Sequence, residues 1–95
     1  MDVYLHTVRH PRAHDNYRVI LKEDGLDIEI GSIGVQVEGW HWGIDTAIPM
    51  RQFETEGTGK SQKDCMRQFR LAWNRFSSDP ARLAEFLEVK RKRLR

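Results

Sequence analysis

Two tryptophans two positions apart, in Trp40-His41-Trp42, and an amphipathic run that carries the third decide most of what this chain can fold into. At the two-residue period of a strand, Trp40, Trp42 and Ile44 share one face and His41, Gly43 and Asp45 the other, until Pro49 ends hydrogen bonding to a neighbour. From Ser61 to Phe76 the period changes. At about 100° per residue, Cys65, Met66, Phe69, Ala72, Trp73 and Phe76 fall within about a 120° arc, and Lys63, Arg67, Arg70 and Asn74 lie opposite. Ser61 caps the first turn of this predicted helix and Asp64 places negative charge near its N-terminal end. A strand face this large and apolar needs a cover, and the aromatic stripe of the helix is the one available.

The remaining segments supply the rest of a sheet. Met1 to Val8 alternates loosely and reads as a short strand, followed by a loop from Arg9 to Asn16 around Pro11. Tyr17 to Lys22 has strand composition, and Glu23-Asp24-Gly25 supplies a turn whose glycine can take positive φ. Leu26-Asp27-Ile28-Glu29-Ile30 alternates apolar with acidic, with Leu26, Ile28 and Ile30 expected inward. Gly31 and Gly34 point to a bulge or bend between Gly31 and Val37, and Gly39 permits the next reversal. Met50 to Lys60 has no sustained period and reads as a loop. After Phe76, Ser77 to Pro80 breaks the helix and starts another, because Asp79 is a good cap and proline suits the first helical position. Leu83, Phe86, Leu87 and Leu94 mark its packed side. Strands come first and helices last, so the expected class is α+β: a three- to four-stranded antiparallel sheet packed on one face by a long helix, with a short second C-terminal helix.

Ninety-five residues suffice for one core and not for two, so residues 1–89 are expected to form a single domain and residues 90–95 a basic tail that frays in water. Five of the 16 basic residues, Lys90, Arg91, Lys92, Arg93 and Arg95, lie in that tail, which leaves 11 to set against all 14 acidic groups in the body. From Glu23 to Pro49 there is no lysine or arginine. With no apolar run near the roughly 20 residues needed to cross a bilayer and no basic-then-apolar N-terminus, the expectation is a cytoplasmic chain without a membrane partner. Cys65, the single cysteine, falls on the core face of the helix and is expected to be a buried thiol.

Candidate chemistry is sparse. Gly57-Thr58-Gly59-Lys60-Ser61 ends like a phosphate-binding loop, but Glu54 stands where that motif has its first glycine. A carboxylate there would repel phosphate, so the segment reads as a connection into a capped helix. His6, His10 and His14 recur every fourth residue, yet Pro11 interrupts any helix that would align them as metal ligands. His41 and Asp45, four residues apart on a strand, are about 13 Å from acid/base contact. No cofactor is expected. The basic stripe Lys63, Arg67 and Arg70, with Lys90, Arg91, Lys92 and Arg93, could follow a phosphate backbone. Tyr4, Trp40 and Trp42 could present an aromatic surface to bases or to a protein. Val8, Val35, Val37 and Leu71 have no assigned burial, and a symmetric dimer is one way to cover such groups.

Trp40-x-Trp42-x-Ile44, then Pro49, then Gly57-x-Gly59, then a helix ending Phe69-x-x-x-Trp73 resembles a pattern in short, uncharacterised bacterial proteins. The resemblance covers residues 17–76, implies the same sheet-then-helix layout and carries over no catalytic residue. In outline, three strands and a helix are also similar to the arm-binding domain of phage integrases, which reads DNA with its sheet. The acidic strand Asp27-Ile28-Glu29 fits such a role poorly. The sequence thus leads to a small non-enzymatic protein-interaction domain, possible as a homodimer, with a nucleic-acid-binding accessory protein as the alternative.

Overall fold

The computed structural model describes residues 4–9, 16–23 and 25–93. Five strands, β1 (Tyr4–Arg9), β2 (Asn16–Glu23), β3 (Leu26–Gln36), β4 (Gly39–Ile44) and β5 (Glu56–Gly59), form one sheet in sequence order, each antiparallel to its neighbours. A four-residue helix α1 (Gln52–Thr55) precedes β5, and two longer helices, α2 (Gln62–Ser77) and α3 (Pro80–Arg93), follow it. The expected α+β layout is what the chain adopts. The sheet carries one short strand more than the sequence suggests, because Met50 to Lys60, expected to be a loop, contains α1 and β5.

Glycine explains both the strand and why its pattern is hard to see. β5 pairs with β4 so that Gly57 faces Trp42 and Gly59 faces Trp40. A Cβ on Gly57 would stand 2.8 Å from Trp42 Nε1, so only a residue without a side chain lets the indole pack against this strand. Gly31 in β3 serves the same end one strand further in. A Cβ there would stand 2.5 Å from Phe69 Cε2, and the Phe69 ring therefore sits directly on the sheet backbone.

The bulge expected near Gly31 lies beside it. Val19 pairs with Gly31 and Ile20 with Glu29, which leaves Ile30 as the extra residue. Ile28 and Ile30 are both buried, whereas Leu26, expected inward, is 44% exposed at the start of the strand. The β2–β3 and β3–β4 turns use Gly25 (φ 76°) and Gly39 (φ 114°).

Ser61 caps α2 as expected, its Oγ accepting from the Asp64 amide at 3.1 Å. Cys65, Phe69, Ala72, Trp73 and Phe76 are buried, while Lys63, Arg67, Arg70 and Asn74 face solvent. Asp79 caps α3 by accepting from the Ala81 and Arg82 amides, each at 3.2 Å. Leu83, Phe86 and Leu87 then close the core. Trp73, Phe76 and Phe86 form a ring cluster with centroids 5.4 to 5.6 Å apart in tilted and edge-on geometry. The buried Trp73 Nε1 has no hydrogen-bond partner among the described residues. Among these residues no helix is long and apolar enough to cross a membrane.

One expectation about charge is overturned. Residues 90–93 are not a frayed tail; they are the last turn of α3, and Lys90 is buried. Helix packing through Phe86 and Leu87 places position 90 on the inner side, and a carboxylate stands there to receive it.

Candidate functional site

That carboxylate is Asp45, just past the end of β4. Its Oδ2 accepts from Lys90 Nζ at 2.6 Å and from Arg18 Nη2 at 2.7 Å, and Arg18 Nε also reaches Glu29 Oε2 at 3.2 Å. The Lys90 side chain is only 11% exposed, and its ammonium lies 5.8 Å from the Phe86 ring centroid. The group joins β2, β3, the segment after β4 and α3. A half-buried carboxylate between two cations is a structural clamp, so Lys90 is withdrawn from the basic surface the sequence suggested.

The other expected basic residues, Lys63, Arg67, Arg70, Arg91, Lys92 and Arg93, are exposed. Arg91 pairs with Glu23 at 3.2 Å, Lys92 with Glu88 at 3.3 Å, and Arg67 with Asp64 at 2.7 Å, and Arg70 makes an interaction of its own.

The phosphate-loop resemblance dissolves in the same region. Gly57 and Gly59 are strand residues, and the Asp64 and Cys65 amides in the first turn of α2 are taken by Ser61. Lys60 N–H donates to Asp64 Oδ2 at 2.9 Å, and Asp64 N–H donates to Ser61 Oγ. Gln68 then links helix to sheet: its Nε2 donates to Asp64 Oδ2 at 3.2 Å and its Oε1 accepts from Trp42 Nε1 at 3.0 Å. The Lys60 amide, followed by the Arg67 guanidinium, holds the Asp64 carboxyl below the ordinary carboxylate range. Burial pushes the Cys65 thiol up, with the Asp64 charge adding to it, so this thiol stays protonated at neutral pH.

The Gln68 bond also fixes which side of α2 faces which strand. Gln68 leans over Trp42 toward β5, so the flank with Met66, Arg70 and Lys63, about 160 to 220° around the helix, lies on the β3 side of α2. On the sheet below that flank, register puts Tyr17, Val35 and Trp40 on the helix-covered face. Tyr17 and Trp40 stack at 6.5 Å, Val35 is 49% exposed, and Val37 in the adjoining turn is fully exposed. Met66 and Trp40 are half-buried against the core edge. The aromatic surface expected of Trp40 and Trp42 thus splits: Trp42 is core, and Trp40 belongs to an open apolar end with Tyr17 as its partner. Sequence reasoning misses Tyr17 because strand composition alone does not say which face it lies on or which aromatic of another strand it meets.

Elsewhere a cleft of about 230 Å³ lies between Met50, Glu54, Ala72, Arg75, Phe76, Asp79 and Arg82. It falls below the roughly 300 to 1,000 Å³ typical of small-molecule sites. Arg82 is pinned there, donating to the Pro49 carbonyl at 3.0 Å and lying 5.3 Å from the Phe76 ring centroid. Of the histidine series, His10 and His14 lie outside the described residues and only the backbone of His6, in β1, is described. Leu94 and Arg95 are outside them too, and so are the side chains of Tyr4 and Val8. Comparison with protein-family models, with curated proteins and with solved structures returns no match.

Proposed function

We propose that this chain is a small non-enzymatic protein-interaction domain that works through the open end of its sheet. The observation that carries the reading is the open end formed by half-buried Tyr17 and Trp40, stacked on each other, with exposed Val35 beside them and exposed Val37 in the adjoining turn, while α2 and α3 bury the same sheet face further along. An apolar surface bordered by charge on a small domain is the usual mark of a contact site. The polar groups best suited to chemistry are engaged otherwise. Asp45, Arg18 and Lys90 clamp the core, and Asp64 and Gln68 fasten the helix to the sheet.

Nucleic-acid binding is the second reading, supported by the exposure of Lys63, Arg67 and Arg70 along one side of α2. It is the lesser one, because Lys90 is internal and Arg67, Arg91 and Lys92 already face carboxylates. Size exclusion with light scattering, alone and with a mixed DNA and RNA pool at low and physiological salt, separates the two. A dimer dissociated by Val35→Glu with Val37→Glu supports the interaction reading with a second copy as the occupant. A complex with nucleic acid that salt and Lys63→Glu with Arg70→Glu both dissolve overturns it.

A further inference from the structure

The cleft between α1, α2 and α3 has charges left over. Its lining sets two carboxylates, Glu54 and Asp79, and two guanidiniums, Arg75 and Arg82, around Met50, Ala72 and Phe76. Two of the four charges are committed to the fold. Asp79 Oδ1 accepts from the Ala81 and Arg82 amides, and Arg82 donates to the Pro49 carbonyl with its guanidinium 5.3 Å from the Phe76 ring centroid. The other two are not. Among the described residues, the side chains of Glu54 and Arg75 make no hydrogen bond or ion pair, with each other or with any other group. Glu54 is half-buried, and a charge drawn partly out of water without a partner costs free energy that a ligand of opposite charge would recover. A carboxylate on α1 and a guanidinium on α2 that face one cavity and do not close on each other leave room for something between them.

We infer that this cleft binds a free α-amino acid with an apolar side chain, its carboxylate on Arg75 with Arg82 beside it, its ammonium on Glu54 and its side chain against Met50, Ala72 and Phe76. The inference is independent of the interaction reading above, since the cleft shares no residue with the open end of the sheet. Charge balance selects the class. With two positive and two negative groups the lining has no net charge, so a simple anion meets Glu54 and Asp79 as like charges and a simple cation meets Arg75 and Arg82. A ligand that carries both charges meets each free group with its opposite. Size narrows the choice. A cavity of about 150 Å³ is enough for benzene, so a cleft of about 230 Å³ takes a body of that order with a carboxylate and an ammonium attached, and excludes larger ligands. The planar fork of Arg75 suits a carboxylate, which it can bind through two parallel N–H donors.

The test uses the full chain, with its backbone amide resonances as the reporter. L-leucine, L-methionine and L-phenylalanine are titrated to about 10 mM, beside N-acetyl-L-leucine, L-leucinamide and inorganic phosphate. Arg75→Gln and Glu54→Gln are titrated in parallel, each first shown to be folded by circular dichroism; neither side chain bonds to the rest of the described chain, so both variants keep the fold. The expected result is saturable binding of at least one of the amino acids, with the shifts centred on Glu54, Ala72, Arg75 and Phe76. Loss of either charge, from the ligand by acetylation or amidation or from the protein by either substitution, weakens binding by about tenfold or more. Phosphate or N-acetyl-L-leucine that binds as well as leucine and ignores Glu54→Gln makes the cleft an anion site and overturns the inference. Leucinamide that binds as well as leucine overturns it from the other side. Shifts centred elsewhere on the chain, or no saturation with any of the amino acids, overturn it outright.

Discussion

Where β4 ends at Ile44, the sheet lies beneath a cover of three interlocked rings, Trp73, Phe76 and Phe86, and the carboxylate beside it is clamped between two cations. Near the start of β4, at Trp40, the same face of the same strand is open, and a tyrosine, a tryptophan and two valines remain partly or wholly in water. Both ends carry apolar residues in the same register. What separates them is the reach of α3, which returns over one half of the sheet and leaves the other. Burial is thus a matter of which neighbour arrives, and an apolar residue in a strand reveals its face without revealing whether anything covers it.

This contrast can be broken at the closed end first. Trp73→Ala should cost roughly 3 to 5 kcal/mol, because it removes a fully buried indole from the ring cluster, and urea titration should find the variant largely unfolded. Gly31→Val should be nearly as damaging by the opposite route: its side chain would enter the space of the Phe69 ring and the Gly43 carbonyl, at a cost of about 1 to 3 kcal/mol or more. Asp45→Asn leaves Lys90 and Arg18 facing each other without the carboxylate and should cost about 2 kcal/mol. Lys90→Met should cost less than that, since Arg18 still satisfies Asp45. At the open end, Val37→Glu should shift stability by no more than about 0.5 kcal/mol while changing association. A Val37→Glu variant as unstable as Trp73→Ala would show that the two ends are not distinct.

The smallest expected effect sits between the ends, at the start of α2. The Asp64 carboxyl titrates lower in the folded chain than unfolded, so its contribution is present above the ordinary carboxylate range and is lost as pH falls through the folded value. Asp64→Asn should therefore lower the melting temperature at neutral pH, and the gap to wild type should narrow as the solution is made acid. A gap that stays constant with pH would assign the loss to the amide's shape rather than to charge.

Much of the layout was legible because local rules sufficed. The period change between Ile44 and Ser61, the Ser61 and Asp79 caps and the glycines at the turns located α2, α3 and the meander. β5 escaped because its inward residues are glycines, kept bare so that Trp42 and Cys65 can approach, and a strand whose face belongs to its neighbours has no apolar period of its own. The Arg18–Asp45–Lys90 clamp escaped for a different reason: charges far apart in sequence carry no local sign that they meet, and a lysine in a basic run looks solvated until packing turns one position inward. The open end was half legible. Its cations and its apolar groups were both visible, and only the direction in which Gln68 leans put them side by side.

The strand order carries a kinetic consequence as well. Because β1 to β5 pair strictly with their neighbours in sequence, the first four strands can pair hairpin by hairpin, each step closing a short loop at small entropic cost. Longer loops close when α3 docks, as its Lys90 reaches Asp45 across 45 residues of chain. Pairing between the first four strands thus closes loops far shorter than the one α3 closes on Asp45, so the two kinds of contact carry different entropic costs.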